Sequence, residues 1–247
     1  MVSVRLLGLD FADLDAPAAA ELIAQRPADA PFGYVVTPNA DHLVRLARRP
    51  ELAALYENAW LRLLDSRVVA RAARLLRLRA PRVAPGSDVT ALLLAAHARS
   101  NEAVTLIGLR PAWLPALARR YRLAIVAHHD PPAGFEHDRD AFRAAIDFAL
   151  AHPARFTFLA TGSPRQEMLA AAIAASGQAH GLGLCVGASL EFLTGAVQRA
   201  PRWMQRAELE WLHRLASDPR RLARRYLLED PAVFRLLLHE RLTTPAG

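Results

Sequence analysis

Residues 156–167 read FTFLATGSPRQE, a stretch that passes from a short apolar run into a glycine, a serine and a proline. The run has the length of a buried strand, and the residues after it are typical of a turn that starts a helix. Similar apolar runs lie at 2–9, 34–37, 61–64, 104–109, 123–127 and 182–186. Segments with apolar residues three and four apart separate most of them. This alternation predicts an α/β fold whose mostly parallel sheet is covered by helices on both faces.

The composition limits the classes of protein to which the chain can belong. It has 247 residues, 53% of them hydrophobic, a net charge of +7, and 31 basic residues that are all arginine. Cys185 is the only cysteine, so an internal disulfide is excluded. The first residues lack a basic leader with a long apolar run, and no run approaches the roughly 20 apolar residues of a spanning helix. The sequence predicts a protein that is soluble or lies on a membrane surface, without a signal peptide.

The alternation of strands and helices ends near residue 195, and the rest of the chain is helical and basic. Residues 202–226 alone hold seven arginines against three acids. We therefore predict a core over residues 1–197 and a basic helical C-terminal appendage over residues 198–247. A local excess of positive charge attracts phosphates or an anionic surface.

The polar residues that close each strand are candidates for a site, because open parallel sheets bind ligands beyond the carboxyl ends of their strands. Asp65 follows the apolar run at 61–64, and a carboxylate in such a crevice can act as a general base. Capping of the next helix is an alternative role for Asp65, although Ser66 could cap that helix equally well.

Thr37 and Asn39 close another run, on either side of Pro38. A hydroxyl beside an amide suits recognition of the hydroxyl or phosphate groups of a ligand. Asn39 is equally natural as the N-cap of the helix that follows.

The opening stretch contributes a third strand end. Backbone N–H groups that follow Gly162 can cradle an anion at the start of a helix. Gln166 and Glu167 would then lie close enough to hydrogen-bond the hydroxyls of a sugar or a base. An ordinary capped helix start is the alternative interpretation of this segment.

Histidines and acids cluster at 128–137, and pairs of aspartates lie at 13–15 and 138–140. The adjacent His128 and His129 at a strand end would point to opposite faces, and the proline-rich loop after them fixes no ligand geometry. The aspartate pairs begin helical patterns, where acids suit the helix dipole. We predict capping roles for these aspartates and no metal site.

The appendage carries arginines at helical spacing. Arg221 and Arg224 are three residues apart in one predicted helix, and Arg214 lies in the helix before it. Guanidinium groups bind phosphate oxygens through pairs of forked donors, so such a cluster suits a diphosphate. Alternatively the arginines are solvated, while an apolar stripe packs on the core through Trp203, Ala207, Trp211 and Leu215.

Several segments follow one another in a characteristic order. They are VVTPNADHLVRL (35–46), LLDSRVVARAARLL (63–76), RVAPGSD (82–88), TGSPRQE (161–167), VGASLEFLTGAVQRAPRWMQRAELEWLHRL (186–215) and DPRRLARRY (218–226). In this order, over residues 34 to 226, the chain resembles the WecG/TagA/CpsF glycosyltransferase family. The segment from 199 onward is the most specific part of the resemblance.

The resemblance implies a Rossmann-like core and an inverting bacterial enzyme that needs no metal and no other cofactor. Members of that family transfer a sugar from a UDP-sugar to a saccharide on a polyprenyl diphosphate lipid. They work at the cytoplasmic face of the inner membrane, where the C-terminal appendage helps to close the site and meets the membrane. The expected partners are therefore the UDP-sugar donor, the polyprenyl-diphosphate-linked acceptor and the inner-membrane surface.

The resemblance also implies roles for individual residues. Asp65 takes the place of the proposed general base. The family's substrate-binding positions correspond to Thr37, Asn39, Arg82, Gln166, Arg214, Arg221 and Arg224.

The chain departs from the family pattern around the site. The family's Asp-Gly after the third strand is DSRVV here, which places the Arg67 side chain where backbone would approach a ligand. The segment RVAPGSD is one residue longer than the family's, and GASLEF has Glu191 in place of an aspartate. The donor sugar is left open by these changes.

Two other functions compete with transfer. A catalytically inactive paralogue would act as a scaffold for a polysaccharide machine, with DSRVV marking the loss of activity. A nucleic-acid-binding protein would use the arginine-rich helix, but the polar strand ends suit small ligands and the aromatics lie on a packing stripe. We predict no nucleic-acid partner, and an exposed apolar face of the appendage would serve the membrane or a second copy in a homo-oligomer.

Overall fold

The structure is a computed structural model that describes residues 2–100, 102–123, 126–195, 200–201, 204, 210–217 and 219–243. Within these ranges the description covers the backbone alone at 97–100, 210, 211, 214, 217, 221, 222, 225 and 226.

The apolar run at 2–9, predicted as one strand, forms two short antiparallel strands outside the main sheet. They are β1 (Ser3–Leu6) and β2 (Leu9–Ala12). Leu7 and Gly8 between them have φ angles of 49° and 81°, the left-handed pair that a tight hairpin turn requires. The single-strand prediction was wrong because Gly8 is a turn residue inside an apolar run.

The main sheet has six strands, β3 (Gly33–Val36), β4 (Leu61–Arg62), β5 (Val104–Gly108), β6 (Val126–His129), β7 (Phe156–Ala160) and β8 (Leu182–Cys185). Their order is β4-β3-β8-β7-β5-β6, and every neighbouring pair is parallel. The predicted Rossmann-like α/β fold is confirmed.

Helices cover both faces of this sheet. The core helices are α1 (Ala16–Gln25), α2 (Ala40–Arg48), α3 (Ala53–Glu57), α4 (Arg67–Leu75), α5 (Gly86–Ser100), α6 (Leu114–Tyr121), α7 (Arg139–Ala151), α8 (Arg165–Ala175) and α9 (Ser189–Thr194). The C-terminal region adds α10 (Glu210–Ser217), α11 (Pro219–Arg224), a π-helical turn (Arg225–Glu229) and α12 (Ala232–Thr243). Among the helices that the structure describes, none combines the length and the apolar character that crossing a membrane requires.

The alternation of side chains along the strands divides the core into two layers. In β3, Tyr34 and Val36 pack with residues of α2, α3, α4, α7 and α8, whereas Val35 packs with residues of α1, α5, α6 and α9. Successive strand residues point to opposite faces, so a buried parallel strand is apolar on both sides.

The last helix is joined to the first of these layers. Val233 and Leu237 of α12 are buried in the same cluster as α2 and α4. The carboxylate of Glu240 accepts a hydrogen bond from the backbone N–H of Leu7 at 2.7 Å. The division of the chain near residue 197 stays a prediction, but α12 contributes to the core.

Candidate active site

The central strands bring several loops to one edge of the sheet. Strands β4, β3, β8 and β7 are consecutive neighbours and run in the same direction, so the segments that follow them adjoin. These segments are 63–65, 37–39, 186–188 and 161–163. The predicted residues after each strand therefore lie at one carboxyl edge.

Asp65 is half-buried at this edge, and its contacts fix the position of its carboxylate. Its Oδ1 accepts a hydrogen bond from the backbone N–H of Gly86, the first residue of α5, at 3.0 Å. Its own N–H donates to the carbonyl of Pro38 at 3.0 Å. Ser66, and not Asp65, caps α4, because Ser66 Oγ accepts from the N–H of Val69 at 3.2 Å. The N–H of Gly86 thus holds the carboxylate of Asp65, and the carbonyl of Pro38 holds its backbone.

Gly86 is a residue of this site to which sequence reasoning assigned no role. A Cβ atom at this position would lie 2.7 Å from Oγ1 of Thr37, closer than side-chain atoms approach one another. The absence of a side chain therefore lets the start of α5 contact Thr37 and Asp65 together. The signal in the sequence was the glycine of RVAPGSD, because glycine is the residue that lets backbone approach another group closely.

Asn39 has the alternative role that the sequence allowed. Its Oδ1 accepts hydrogen bonds from the backbone N–H groups of Asp41 and His42 at 3.1 and 3.4 Å, and it caps α2. The N–H of Asn39 donates in return to Nδ1 of His42 at 3.2 Å. Contact of Asn39 with a ligand stays a prediction.

Gln166 and Glu167 lie beneath the edge, not on it. Gln166 is 3% exposed and Glu167 is 1% exposed. Oε1 of Gln166 accepts from the backbone N–H of Gly187 at 2.8 Å, and Nε2 of Gln166 donates to Oε1 of Glu167 at 2.9 Å. Burial raises the pKa of Glu167, and hydrogen bonds from Gln166 and Ser163 act in the opposite direction.

A second group of polar side chains surrounds Ser163 in the turn before α8. Nη1 of Arg45 donates to Ser163 Oγ at 2.8 Å, and the hydroxyl of Tyr56 lies 3.2 Å from the same oxygen. Arg45 also pairs with Asp41 one turn earlier in α2. Sequence reasoning missed Arg45 and Tyr56 because their contacts with Ser163 span more than 100 residues and have no local pattern.

Gly162 begins this turn with a φ angle of 81°. A Cβ atom at Gly162 would lie 3.1 Å from Nη2 of Arg165, so the glycine leaves room for a guanidinium beside the turn. Arg165 also lies 3.9 Å from Glu136 through its Nε atom. A positive group therefore stands at the start of α8, where the sequence predicted an anion cradle.

Arg82 contacts the loop between β2 and α1. Its backbone N–H donates to Asp13 Oδ1 at 2.8 Å, and its Nε donates to the Asp13 carbonyl at 3.0 Å. Its guanidinium also lies 3.5 Å from Asp15. Two residues further along, the N–H of Ala84 donates to the carbonyl of Leu64 at 2.9 Å. Arg82 therefore lies near the segment that follows β4.

The appendage arginines can be placed only in part. The side chains of Arg214 and Arg221 lie outside the described part of the structure. Arg224 is exposed and pairs with Glu229 at 3.0 Å. Their predicted contact with a diphosphate stays a prediction.

Two groups of residues were considered for a metal site, and several of their members have other contacts. His128 Nε2 lies 3.1 and 2.9 Å from the carbonyls of Gly108 and Leu109. Asp15 caps α1 and Asp138 caps α7, so the capping roles predicted for these two are confirmed. In the part of the chain that the structure describes, no three His, Cys, Asp or Glu side chains group as metal ligands.

Comparison with known protein families assigns the chain to a family. The model of the glycosyl transferase WecG/TagA/CpsF family matches residues 4–247, which include all but the first residue of the β1–β2 hairpin and all of α12. This family comprises bacterial glycosyltransferases of cell-surface glycan synthesis. The resemblance that the ordered segments predicted is thus confirmed over nearly the whole chain, and the protein belongs to the WecG/TagA/CpsF glycosyl transferase family.

Proposed function

We propose that this protein is an inverting, metal-independent glycosyltransferase that moves a sugar from a UDP-sugar to a saccharide carried on polyprenyl diphosphate. The observation that carries the proposal is the position of Asp65. Its carboxylate lies at the carboxyl edge of the parallel sheet, is half-buried, and is held by the N–H of Gly86 next to Thr37. That edge is where α/β sheets bind nucleotides.

In the proposed reaction Asp65 removes the proton from the acceptor hydroxyl. The acceptor oxygen attacks the anomeric carbon from the face opposite UDP and forms the new C–O bond. The bond between that carbon and the UDP oxygen breaks, and its electron pair leaves with UDP. Attack and departure on opposite faces invert the anomeric centre.

The leaving diphosphate requires positive charge. Arg165 beside Gly162 supplies a guanidinium at the first turn of α8, and the backbone N–H groups there add the positive end of the helix dipole. The appendage residues Arg214, Arg221 and Arg224 would complete this neutralisation, a task that a metal ion performs in other transferases.

The lipid acceptor calls for contact with the cytoplasmic face of the inner membrane, and one surface suits it. We name it the α12 stripe: Phe234, Leu238 and Leu242, spaced four residues apart and 46%, 48% and 77% exposed. Helix α12 packs beside α4, whose exposed side carries Arg67, Arg71 and Arg74. Exposed apolar side chains and exposed arginines on neighbouring helices suit an anionic lipid surface.

The first experiment tests transfer itself. A set of UDP-sugars is screened for thermal stabilisation of the protein, since a ligand that binds only the folded state raises its apparent stability. The stabilising donor is then incubated with a polyprenyl-diphosphate-linked saccharide, and released UDP is measured. Stabilisation and transfer that persist in a chelator are expected.

Transfer that requires manganese would contradict the metal-independent part of the proposal. Donor binding without transfer to any lipid-linked acceptor would favour the inactive scaffold instead. A protein that no UDP-sugar stabilises, but that binds oligonucleotides with a steep salt dependence, would favour the nucleic-acid reading.

The membrane part is tested by substitution and not by truncation, because removal of residues 198–247 would also remove the buried Val233 and Leu237. Phe234→Glu with Leu238→Glu is expected to weaken binding to phosphatidylglycerol vesicles by about tenfold or more per side chain. Leu92→Glu, at an exposed leucine of α5 on the other face of the sheet, is the control and should bind as before. Unchanged binding by the double variant, or conversion of a dimer to a monomer, would show that the α12 stripe serves another purpose.

A further inference from the structure

A chain of hydrogen bonds beneath the carboxyl edge links two of its loops. The N–H of Gly187 donates to Gln166 Oε1 at 2.8 Å, and Gln166 Nε2 donates to Glu167 Oε1 at 2.9 Å. Gln166 and Glu167 belong to the first turn of α8, and Gly187 follows β8. These hydrogen bonds therefore connect the start of α8, which follows β7, with the loop after β8.

The side chain of Gln166 can make both bonds in only one orientation. An amide has an acceptor oxygen at one end and a donor nitrogen at the other. The carboxyl oxygen of Glu167 accepts from the nitrogen, which leaves the oxygen for the N–H of Gly187. If the amide turned by 180°, two donors would face each other at Gly187, and two acceptors at Glu167.

Burial makes this orientation matter. Gln166 and Glu167 are nearly inaccessible to solvent, so water cannot replace a lost partner. A buried polar group without a partner costs more than a hydrogen bond contributes on average. The carboxyl of Glu167 thus determines which end of the Gln166 amide faces Gly187.

Gly187 is the backbone group that this arrangement holds. It has a φ angle of 50° and begins the turn from β8 into α9. Strand β8 lies between β3 and β7, so this turn separates the segment with Thr37 from the segment with Gly162. A displacement of Gly187 would alter the middle of the edge at which the donor is proposed to bind.

We propose that Glu167 is a positioning residue, which orients the amide of Gln166 and through it fixes the backbone of Gly187 at the carboxyl edge. Glu167 then contacts neither the sugar nor the base, in contrast to the role that its place in the sequence suggested. The effect on sugar transfer rests on the proposed function, whereas the effect on Gly187 does not.

The direct test measures hydrogen exchange at the backbone N–H of Gly187 by NMR, with the N–H groups of β3 as an internal reference. In Glu167→Leu and in Gln166→Leu, exchange at Gly187 is expected to be about tenfold faster relative to β3. The variant with both leucine substitutions should show no further increase in exchange at Gly187. Each substitution alone already breaks the same series of hydrogen bonds. Glu167→Gln keeps a carbonyl oxygen that can accept from Gln166 Nε2 and should retain slow exchange.

Swapping the residues at positions 166 and 167 provides a second test, which does not depend on whether the leucine variants fold. In Gln166→Glu alone, two carboxyl groups face each other, and faster exchange at Gly187 is expected at a pH at which both are ionised, because neither can then donate to the other. Adding Glu167→Gln restores an amide–carboxyl pair with the two positions swapped. The carboxylate at 166 then accepts from the N–H of Gly187, and the amide at 167 donates to that carboxylate. Slow exchange should return in this double variant.

Unchanged exchange at Gly187 in Glu167→Leu, or no recovery in the exchanged pair, would overturn the positioning role. Sugar transfer is measured on the same proteins. If the exchange results hold but the unsubstituted protein transfers no sugar, the proposed function fails while the positioning role stands. If the unsubstituted protein transfers sugar, and Glu167→Leu has the same transfer rate and the same exchange rate at Gly187, the positioning role alone fails.

Discussion

Two carboxyl groups of the same sheet edge have opposite surroundings. Asp65, after β4, is half-buried, and a backbone N–H from α5 holds one of its oxygens. Glu167, after β7, is 1% exposed, and a side-chain amide holds one of its oxygens. Both follow parallel strands at their carboxyl ends, and both were candidates for contact with the substrate.

The difference shows that a position at the carboxyl edge does not by itself assign chemistry to a carboxyl group. A base must be reachable by the hydroxyl from which it takes a proton. Asp65 meets that condition, whereas the burial of Glu167 leaves it in contact with the protein alone. The difference in burial is therefore the basis on which we propose a reacting role for Asp65 and a positioning role for Glu167.

The same chemical change at both positions tests the difference between the two carboxyl groups most directly. Asp65→Asn is expected to lower turnover by about 10²–10⁴-fold, because an amide cannot accept the proton of the acceptor hydroxyl. Glu167→Gln is expected to leave turnover close to that of the unsubstituted protein, since the amide still supplies an acceptor to Gln166. The rate of UDP release from donor and lipid acceptor measures both.

Asp140→Asn is the matched control, because Asp140 is an exposed carboxylate in the first turn of α7. Donor binding, followed by thermal stabilisation, should persist in Asp65→Asn. Equal losses of turnover in Asp65→Asn and Glu167→Gln would erase the distinction between the two carboxyl groups.

The sequence predicted the parts of this edge that depend on local pattern. Alternation of apolar runs and helical segments was enough to predict the parallel sheet, and the strand ends were enough to bring Asp65, Thr37 and Gly162 to one edge. The hydrogen bond between Asp65 and Gly86 and the one between Gln166 and Gly187 each span 21 residues. Such contacts depend on how distant segments pack, so no local pattern reveals them.

The chemistry of a single residue left two other roles undecided. Asn39 suits both a ligand and a helix cap, and the hydrogen bonds from the N–H groups of Asp41 and His42 show that it caps α2. Glu167 was placed near the substrate because its distance in sequence from Gly162 is short. The helical turn between them directs its side chain beneath the sheet edge, and single-residue chemistry cannot distinguish these two directions.

A substitution at Gly86 tests how the Asp65 carboxylate is held. A Cβ at this position would lie 2.7 Å from Thr37 Oγ1, so Gly86→Ala is expected to lower the free energy of unfolding by about 1–3 kcal/mol, as overpacking does. Displacement of the start of α5 should also lower turnover, since the N–H of Gly86 holds the Asp65 carboxylate. Chemical denaturation and UDP release measure the two effects.

Thr37→Ala provides the matched partner, because it removes the atom that the new methyl group would meet. Thr37→Ala combined with Gly86→Ala should recover part of the lost free energy of unfolding relative to Gly86→Ala. Additive losses in the double variant would mean that the close approach of Gly86 to Thr37 has no energetic consequence.

The pH dependence of stability tests the effect of burial on Glu167. Burial raises the pKa of Glu167 in the folded protein, so folding favours its protonated form. The resulting stabilisation is fully present below the pKa of the unfolded chain and is lost as the pH rises through the higher pKa of the folded state. Relative to Glu167→Gln, the unsubstituted protein should therefore lose stability with rising pH, by at most about 1.4 kcal/mol per pH unit.

Urea unfolding at a series of pH values measures this difference, because the groups common to both proteins cancel. Glu21→Gln, at an exposed residue of α1, is the control and should follow the unsubstituted protein at every pH. Parallel curves for the unsubstituted protein and Glu167→Gln would mean that Glu167 has the same pKa in the folded and unfolded chain. Its burial would then not distinguish it from Asp65, and the assignment of separate roles would lose its physical basis.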